Sequence, residues 1–123
     1  MRIIIAGAGA VGCHLAKLLS REDMEISLID DRQDRLGDLD ANYDLLTKVG
    51  SPTSVYDLRS IGVAGVDLFI AVTPSESENI TACLLANQLG AKRTLARIDN
   101  YEYLRPENKR IFEQMGLNHL IYP

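Results

Sequence analysis

The sequence predicts an α/β protein in which six parallel strands form one sheet with helices on both of its faces. Two observations support this prediction. Short apolar runs, suited to buried parallel strands, alternate with segments whose apolar residues recur at helical spacing. The first apolar run leads into "GAGAVG", residues 7–12, which opens a helix. Because right-handed crossovers stack such strands side by side, we expect a doubly wound sheet of the Rossmann type.

The predicted strands are apolar runs, each of a length that fits a buried strand. They lie near residues 2–6, 25–30, 45–49, 67–72, 93–98 and 118–122. In a parallel sheet the carboxyl ends of all strands meet at one edge, where ligands of this fold bind. The residues directly after each strand are therefore the candidates for a functional site.

The predicted crossover helices lie between these strands, at residues 10–22, 54–62, 76–90 and 101–116. The first helix has an apolar stripe that we expect to face the core. The stripe consists of Val11, Leu15, Leu18 and Leu19. Pro106 suits the first turn of a helix, so the last segment is expected to start late or to be broken. Residues 32–44 contain fewer apolar side chains, which predicts a short or loosely packed helix.

Length, charge and cysteine content restrict the classes of function. The 123 residues fit one domain, and the net charge of −4 argues against a basic face that binds nucleic acid. No apolar run reaches the roughly 18 residues that span a bilayer, so we expect no membrane insertion. Cys13 and Cys83 lack the spacing of a metal site. We expect them to be buried thiols in a reducing cytoplasm.

The glycines of residues 7–12 have the spacing and context of a dinucleotide-binding loop, since they follow a strand and head a βαβ unit. Gly7 permits a tight turn, and Gly9 lets the main chain approach a diphosphate without an intervening Cβ. Gly12 allows the helix to pack closely against the strand. Free N–H groups at the helix start would then face the phosphates. The alternative is a strand-to-helix turn that is simply tightly packed.

Asp30 ends the second strand, where a carboxylate can accept hydrogen bonds from both ribose hydroxyls of an adenosine. Asp31 follows it, and two acids would repel a 2′-phosphate, so NAD or an adenine nucleotide is favoured over NADP. Arg32 leaves this choice open, because it could pair with a phosphate. The alternative role of Asp31 and Arg32 is a solvated helix start with Asp31 as the N-cap.

Small or polar residues follow the third and fourth strands, at positions that border the adenine and the middle of a dinucleotide in this fold. They are Gly50, Ser51 and Thr53, and then Val72, Thr73, Pro74 and Ser75. Thr53 and Ser75 are also candidate helix N-caps. Arg97 is a cation in the apolar run of the fifth strand. It needs either an anion, such as a phosphate in the crevice, or a path to solvent.

With these residues in place, the chain resembles the nucleotide-binding N-terminal domain of the TrkA family of potassium-uptake regulators, also called a KTN or RCK domain. The resemblance covers nearly the whole chain. The motifs that carry it are "IIIAGAGAVGCHLAKLLS", "ISLID", "GSPTSVYDLRSIGVAGVDLFIAVTPSESENITACLLA", "ARIDNYEYL" and "MGLNHLIYP". Many dehydrogenases share the glycine pattern, whereas "AGVDLFIAVT" followed by Glu76, Glu78 and Asn79 is more particular.

The resemblance implies a cytoplasmic regulatory subunit without enzyme activity, which binds NAD(H) or ATP/ADP and acts on a membrane potassium channel-like transport subunit. It also implies a homodimer or higher homo-oligomer at the inner face of the cell membrane. Residues 1–123 would be one N-terminal domain of a longer protein. The pattern and the resemblance together predict as cofactor-binding residues Gly7, Gly9, Ala10, Val11, Gly12, Asp30, Asp31, Arg32, Gly50, Ser51, Val72, Thr73 and Arg97.

Two positions depart from the pattern of the family. Relatives often carry a polar or charged residue at the position of Ala10, which implies that a contact to a terminal phosphate is lost and that ATP sensing is less favoured. Channel-gating relatives often carry Asp at the position of Ser51. This exchange removes a carboxylate near the adenine.

An NAD-dependent oxidoreductase fragment is the alternative function. Hydride transfer usually needs a general acid or base beside the nicotinamide, and His14 and His119 are expected at structural or surface places away from the crevice. Apolar residues of the last two helices are candidates for a dimer face or for the core. They are Ile80, Leu84, Leu85, Ile111 and Phe112.

Overall fold

The structure, a computed structural model, describes residues 1–20, 23–37, 39 and 43–123. Its strands are β1 (Arg2–Ala6), β2 (Glu25–Asp30), β3 (Leu45–Val49), β4 (Leu68–Ala71), β5 (Thr94–Arg97) and β6 (His119–Ile121). Its helices are α1 (Ala10–Leu19), α2 (Gln33–Leu36), α3 (Val55–Ser60), α4 (Glu76–Gln88) and α5 (Pro106–Gln114), with a 3-10 helix at Tyr101–Leu104. The first three strands have the predicted bounds, and each of the last three is one residue shorter at either end.

The strands form one parallel sheet in the order β3-β2-β1-β4-β5-β6. From β1 the chain first builds outwards through β2 and β3, and it then returns to add β4 on the other side of β1. The direction of building therefore reverses between β1 and β4. In such sheets a ligand crevice opens at the carboxyl ends of the two strands beside this reversal. The predicted doubly wound, Rossmann-type fold is confirmed.

Helices cover both faces of the sheet, and each face has its own apolar cluster. On one face Ala16 of α1 and Leu36 of α2 pack in a cluster with Ile3, Ile5 and Leu28. The cluster on the other face includes Ile4, Ala6, Ile29, Leu58, Phe69, Ala82, Cys83 and Ala86, with Phe112 packed against it. Because successive strand residues point to opposite faces, a continuous apolar strand serves both layers.

The apolar stripe predicted for α1 is wrong in part. Val11 and Leu18 are exposed, and the buried residues of the helix are Gly12 and Ala16. Leu15 and Leu19 of the stripe pack against the core as predicted, while the small residues let the helix axis approach the sheet closely. Residues 21 and 22, at the end of the predicted helix, lie outside the described residues.

The helix starts test the predicted N-caps. Ser75 caps α4, since its hydroxyl accepts a hydrogen bond from the Glu78 amide at 3.2 Å. For α3 the cap is Ser54, which accepts from the Asp57 amide at 3.1 Å. The prediction for Ser75 is therefore confirmed, and the prediction of Thr53 as a cap is wrong by one position.

The remaining helices also follow the sequence pattern. Pro106 stands in the first turn of α5, which a 3-10 helix precedes, so the predicted late start is confirmed. The helix α2 is short, as predicted, while residues 38 and 40–42 of that segment lie outside the described residues. Across the described ranges, none of the helices combines the length and the apolar character needed to cross a bilayer.

Most of the apolar residues predicted for a dimer face or for the core pack against the core. Ile80, Leu84, Leu85 and Phe112 are partly buried against the apolar cluster beneath α4 and α5. Ile111 is 52% exposed and remains available to a partner. Covering the sheet therefore accounts for all of these side chains except Ile111.

The two cysteines are free thiols in different surroundings. Cys83 is buried in the core, and this burial raises the pKa of its thiol to about 12. Cys13 is half-buried, and burial raises the pKa of its thiol as well. A raised pKa keeps a thiol protonated and unreactive. The structural role predicted for both residues fits these surroundings.

Candidate functional site

A cleft of about 290 Å³ opens at the carboxyl edge of the sheet, where the strand order reverses between β1 and β4. Its lining residues are Gly7, Asp30, Asp31, Arg32, Arg35, Pro52, Thr73, Pro74, Ser75 and Glu78. Another cavity, of about 310 Å³, lies at the opposite edge beside the amino ends of β1 to β3. That cavity has neither the glycine loop nor a buried carboxylate, so the cleft at the carboxyl edge is the candidate site.

Gly7 turns the chain out of β1 into the loop that borders the cleft. Its φ of +109° lies in the region that glycine adopts far more readily than other residues. A Cβ at this position would stand 3.0 Å from the main-chain nitrogen of Thr73. The Gly7 amide donates to the carbonyl oxygen of Ile29 at 2.9 Å, which fixes the loop against β2. Both the turn and the close approach to the chain directly after β4 thus require glycine here.

Gly9 and Gly12 have opposite surroundings. A Cβ on Gly9 would meet no atom of the described residues within 4 Å. A Cβ on Gly12 would overlap the carbonyl oxygen of Gly7 and lie 2.9 Å from its carbonyl carbon. The helix α1 begins at Ala10 with no side-chain cap on its N-terminus and no acid in its first turn. Such a start presents N–H groups and a positive dipole end to an anion.

Asp30 is 4% exposed, and its carboxylate ties two loops together. Oδ2 accepts from the Ala8 amide at 2.7 Å, and Oδ1 accepts from the Arg32 amide at 2.8 Å. The guanidinium Nη1 of Arg35 lies 3.6 Å from Oδ2. An ionised carboxylate has about four acceptor sites, so Asp30 can still accept from hydroxyl groups of a ligand. It therefore shapes the glycine loop and offers acceptors in the cleft.

Asp31 and Arg32 stand at the exposed edge of the cleft. The residue at the N-cap position of α2 is Arg32, so the alternative role of Asp31 as the N-cap is wrong. The Arg32 guanidinium pairs with the Asp34 carboxylate at 3.1 Å, and more than half of its surface is exposed. Part of its charge is therefore already balanced on the surface.

Four further predicted residues lie near the cleft without lining it. Ala10 and Val11 are exposed in the first turn of α1. Gly50 and Ser51 form the start of the loop after β3, where the carboxylate of Asp57 accepts from the Ser51 amide at 2.9 Å. This bond fixes the loop that stands beside the adenosine side of a crevice in this fold.

The last three predicted residues, Val72, Thr73 and Arg97, differ in burial. Val72 is part of the apolar cluster beneath α1, so its side chain belongs to the core. Arg97 is half-buried at the end of β5, and its guanidinium has no ion pair or hydrogen bond with any described residue. Thr73, which follows Val72 after the end of β4, is buried, and its amide and hydroxyl both donate to Oδ1 of Asn79, at 2.9 and 2.7 Å.

Glu78, Arg35 and Pro52 are lining residues that sequence reasoning did not place in the site. Burial raises the pKa of the Glu78 carboxyl, and the charges of Asp31 and Asp30 raise it further, while Arg35 lowers it. From the sequence, Glu78 has the pattern of an acid that complements a helix dipole. Arg35 and Pro52 carry no local signal, because their position depends on how two loops fold over the strand ends.

Known proteins resemble this chain in sequence and in fold. The sequence profile of the TrkA-N domain family matches residues 3–123. The chain is 43% identical over 125 residues to the Trk system potassium uptake protein TrkA of Haemophilus influenzae. The match covers 100% of this chain and 27% of the relative, so the chain spans about a quarter of the length of that protein.

Solved structures with the same fold include the GsuK channel bound to NAD, with a TM-score of 0.76 at 21% identity, over 98% of this chain and 21% of that one. GsuK bound to ADP matches with a TM-score of 0.76 at 21% identity, over 98% of this chain and 31% of that one. At such identities the structures show a shared fold. Because the family profile matches almost the entire sequence, the chain belongs to the TrkA-N domain family.

Proposed function

We propose that this chain is a nucleotide-sensing regulatory domain, which binds NAD(H) or ATP/ADP and controls a membrane potassium transport subunit. One observation carries the proposal. The uncapped start of α1 and the buried carboxylate of Asp30 stand together at the edge where the strand order reverses. Doubly wound sheets bind nucleotides at this place. The NAD and ADP complexes of GsuK, which share the fold, support these two ligands.

The shape of the site suggests how a dinucleotide would lie. The diphosphate would rest at the start of α1, where Gly9 leaves open space. The adenosine ribose would lie on Asp30, with its adenine towards Ser51. The second half of the ligand would extend towards Thr73. The guanidinium of Arg97, which no described residue pairs, would be available to a phosphate.

The transport partner is proposed from the family and from the name of the Haemophilus relative. In this proposal residues 1–123 act as one domain of a longer regulatory protein, on the cytoplasmic side of the membrane. A homodimer or larger homo-oligomer belongs to the proposal, and the exposed Ile111 on α5 and Met115 directly after it offer apolar surface for it. Regulation then requires that bound nucleotide favours one conformation over another.

The arrangement favours a regulatory role over an NAD-dependent oxidoreductase. His14 and His119 are both exposed, on α1 and β6. No group of three or more His, Cys, Asp and Glu residues in the described part of the chain could hold a metal ion. Glu78 is the feature that suits an enzyme, because a carboxyl with a raised pKa in a cleft can act as a general acid.

Asp30→Asn is expected to weaken the binding of NADH and ADP by about 10- to 100-fold, since a hydrogen bond to a charged group contributes about 1–3 kcal/mol. The asparagine side chain has a single acceptor oxygen. It cannot accept from the amides of Ala8 and Arg32 and from a ribose at once. Calorimetric titration of NADH, NAD, ADP and ATP into wild type and variant measures the effect.

Asp67→Asn is the matched control for this titration. Asp67 also accepts from a main-chain amide, that of Arg2 at 2.8 Å, but at the amino edge of the sheet. We expect this control to bind every nucleotide like the wild type. Wild-type protein that binds none of the four nucleotides, or Asp30→Asn that binds them normally, would contradict the proposed site. Steady oxidation of NADH with common carbonyl substrates would support the oxidoreductase instead.

Nucleotide affinity is expected to rise as the pH falls, because of Glu78. Its pKa is already raised by burial and by Asp31 and Asp30, and bound phosphates would raise it further. A group whose pKa is higher in the complex takes up a proton on binding, so protonation strengthens binding. The affinity changes over the pH range between the pKa of Glu78 in the free protein and its pKa in the complex. Both pKa values lie above the ordinary glutamate value. NADH titrations from about pH 5 to about pH 8 measure it.

Glu78→Gln should remove this pH dependence and should bind NADH at neutral pH as tightly as the wild type binds it at low pH. Glu107→Gln, in the exposed first turn of α5, is the control and should keep the dependence. If the affinity of the wild type stays constant over this pH range, or decreases as the pH is lowered, Glu78 does not face the bound phosphates.

A further inference from the structure

Asn79, near the start of α4, is 1% exposed and makes four side-chain hydrogen bonds. Its Oδ1 accepts from the amide and the hydroxyl of Thr73, at 2.9 and 2.7 Å. Its Nδ2 donates to the carbonyl oxygens of Thr73 and Arg97, each at 3.0 Å. Both amide protons and the amide oxygen are therefore used to hold two other residues of the chain.

The two residues held by Asn79 stand at the ends of neighbouring strands. Thr73 follows β4 and lines the cleft, and Arg97 is the last residue of β5. Asn79 itself does not line the cleft. It can therefore act on a bound molecule only through the residues that it holds. On the other side of the reversal Asp30 does the same for the loops after β1 and β2.

The site thus has two halves, and in each half one buried side chain holds two loops or strand ends through hydrogen bonds. We call these side chains and their bonds the Asp30 clamp and the Asn79 clamp. A doubly wound sheet has one mononucleotide-binding half on each side of the strand-order reversal. The Asp30 clamp lies in the half formed by β1, β2 and β3, and the Asn79 clamp lies in the half formed by β4 and β5. A mononucleotide such as ADP needs the first half alone, whereas the second half of NADH extends over the second.

We propose that Asn79 is a positioning residue for the second half of a dinucleotide, and that it sets the preference of the site for NADH over ADP. This inference rests on the proposed function. Without Asn79, the amide of Thr73 and the carbonyl of Arg97 lose their shared partner. The sheet pairing of β4 with β5 ends at Ala71 and Ala96, so the chain beyond β4 then loses its bonds through Asn79 to the end of β5. The cost of ordering this segment falls on NADH, because its second half lies over Thr73. ADP reaches this half of the site only through the Arg97 guanidinium, and the pairing of Arg97 with Ile121 of β6 still holds that residue.

The test compares two ligands on one set of variants. NADH and ADP are titrated into the 123-residue chain, into Asn79→Ala and into Asn118→Ala. Asn118 is a matched control, since its Oδ1 accepts from the Thr94 amide at 2.8 Å and so holds the amino end of β5, away from the cleft. Thermal unfolding of each variant is recorded beside the titrations. If Asn79→Ala does not fold, Asn79→Ser is titrated, because its hydroxyl can replace one bond.

We expect Asn79→Ala to lose about tenfold or more in NADH affinity and to keep its ADP affinity within about twofold. Asn118→Ala should bind both ligands like the wild type. Equal losses for the two ligands, or no loss for either, would overturn the inference while leaving the proposed function standing. Wild-type protein that binds neither ligand would overturn the proposed function first.

Hydrogen exchange of the Thr73 amide in the wild type is a second readout that needs no substitution. This amide donates to Asn79, so its exchange reports on the clamp. NADH should slow the exchange more than ADP does when both ligands are saturating. An equal effect of the two ligands would show that the second half of NADH does not reach the clamp, and would also overturn the inference.

Discussion

Gly9→Val is expected to abolish measurable binding of NADH and ADP, while the protein loses no more than about 1–2 kcal/mol of stability, the cost of a poor N-cap. The backbone of Gly9, with φ of −75° and ψ of −166°, is extended and open to any residue. A Cβ at this position would meet no atom within 4 Å in the part of the chain that the structure describes. The proposed function puts the diphosphate in this space, which the valine side chain would fill.

The measurement joins nucleotide titration with thermal unfolding of the same samples. Ser60→Val introduces the same side chain at an exposed position on α3 and serves as the control, which should bind like the wild type. A folded Gly9→Val protein with wild-type affinity for NADH would place the diphosphate elsewhere. The glycine loop would then be a packing device only, which is the alternative that the sequence leaves open.

Much of the fold is predictable from the sequence because a buried parallel strand is a continuous apolar run. The first three strands have the predicted bounds. At the carboxyl ends of β4 and β5 the overestimate falls on Val72 and Ile98, which are buried although they lie outside the strands. A hydrophobicity pattern reports burial, and it therefore overestimates strands whose flanks are also buried.

The inward face of α1 shows a limit of the same reasoning. Periodicity assigns the core to large apolar side chains, but Val11 and Leu18 are exposed and Gly12 and Ala16 are buried. How closely a helix approaches a sheet depends on the residues between the two backbones. Small residues permit that approach, and a pattern that scores hydrophobicity alone gives them little weight.

Some residues of the candidate site could also be predicted from the sequence, and others could not. Gly7 and Asp30 are predictable because the turn after β1 and the end of β2 impose local requirements that the sequence displays. The places of Arg35 and Glu78 in the cleft, and the bonds of Asn79, are tertiary. The bond from Asn79 to the carbonyl of Arg97 joins residues of different elements, and it depends on the main chain of Arg97 and not on its side chain. Because any residue at position 97 has this carbonyl, the residue type there could not predict the bond.

Gly12→Ala is expected to cost more than about 3 kcal/mol of stability, or to prevent folding, which would be the largest loss among the substitutions considered. The added Cβ would overlap the carbonyl oxygen of Gly7. That oxygen belongs to the main chain of the glycine loop, which is held in place by hydrogen bonds to Ile29 and to Asp30. It therefore cannot turn away as a flexible side chain could. Relief of the overlap would require α1 to move off the sheet. Urea unfolding measures the loss.

Gly9→Ala is the control that separates packing from glycine content. Both substitutions remove one glycine from the same loop and add one methyl group, but the methyl group at Gly9 enters open space. The stability of the Gly9→Ala protein should therefore differ from that of the wild type by no more than the N-cap cost of about 1–2 kcal/mol. Should the two variants prove equally stable, the helix does not lie against the loop as described. A large gap between them would mean that Gly12 serves the fold, which leaves Gly9 as the glycine that serves the ligand.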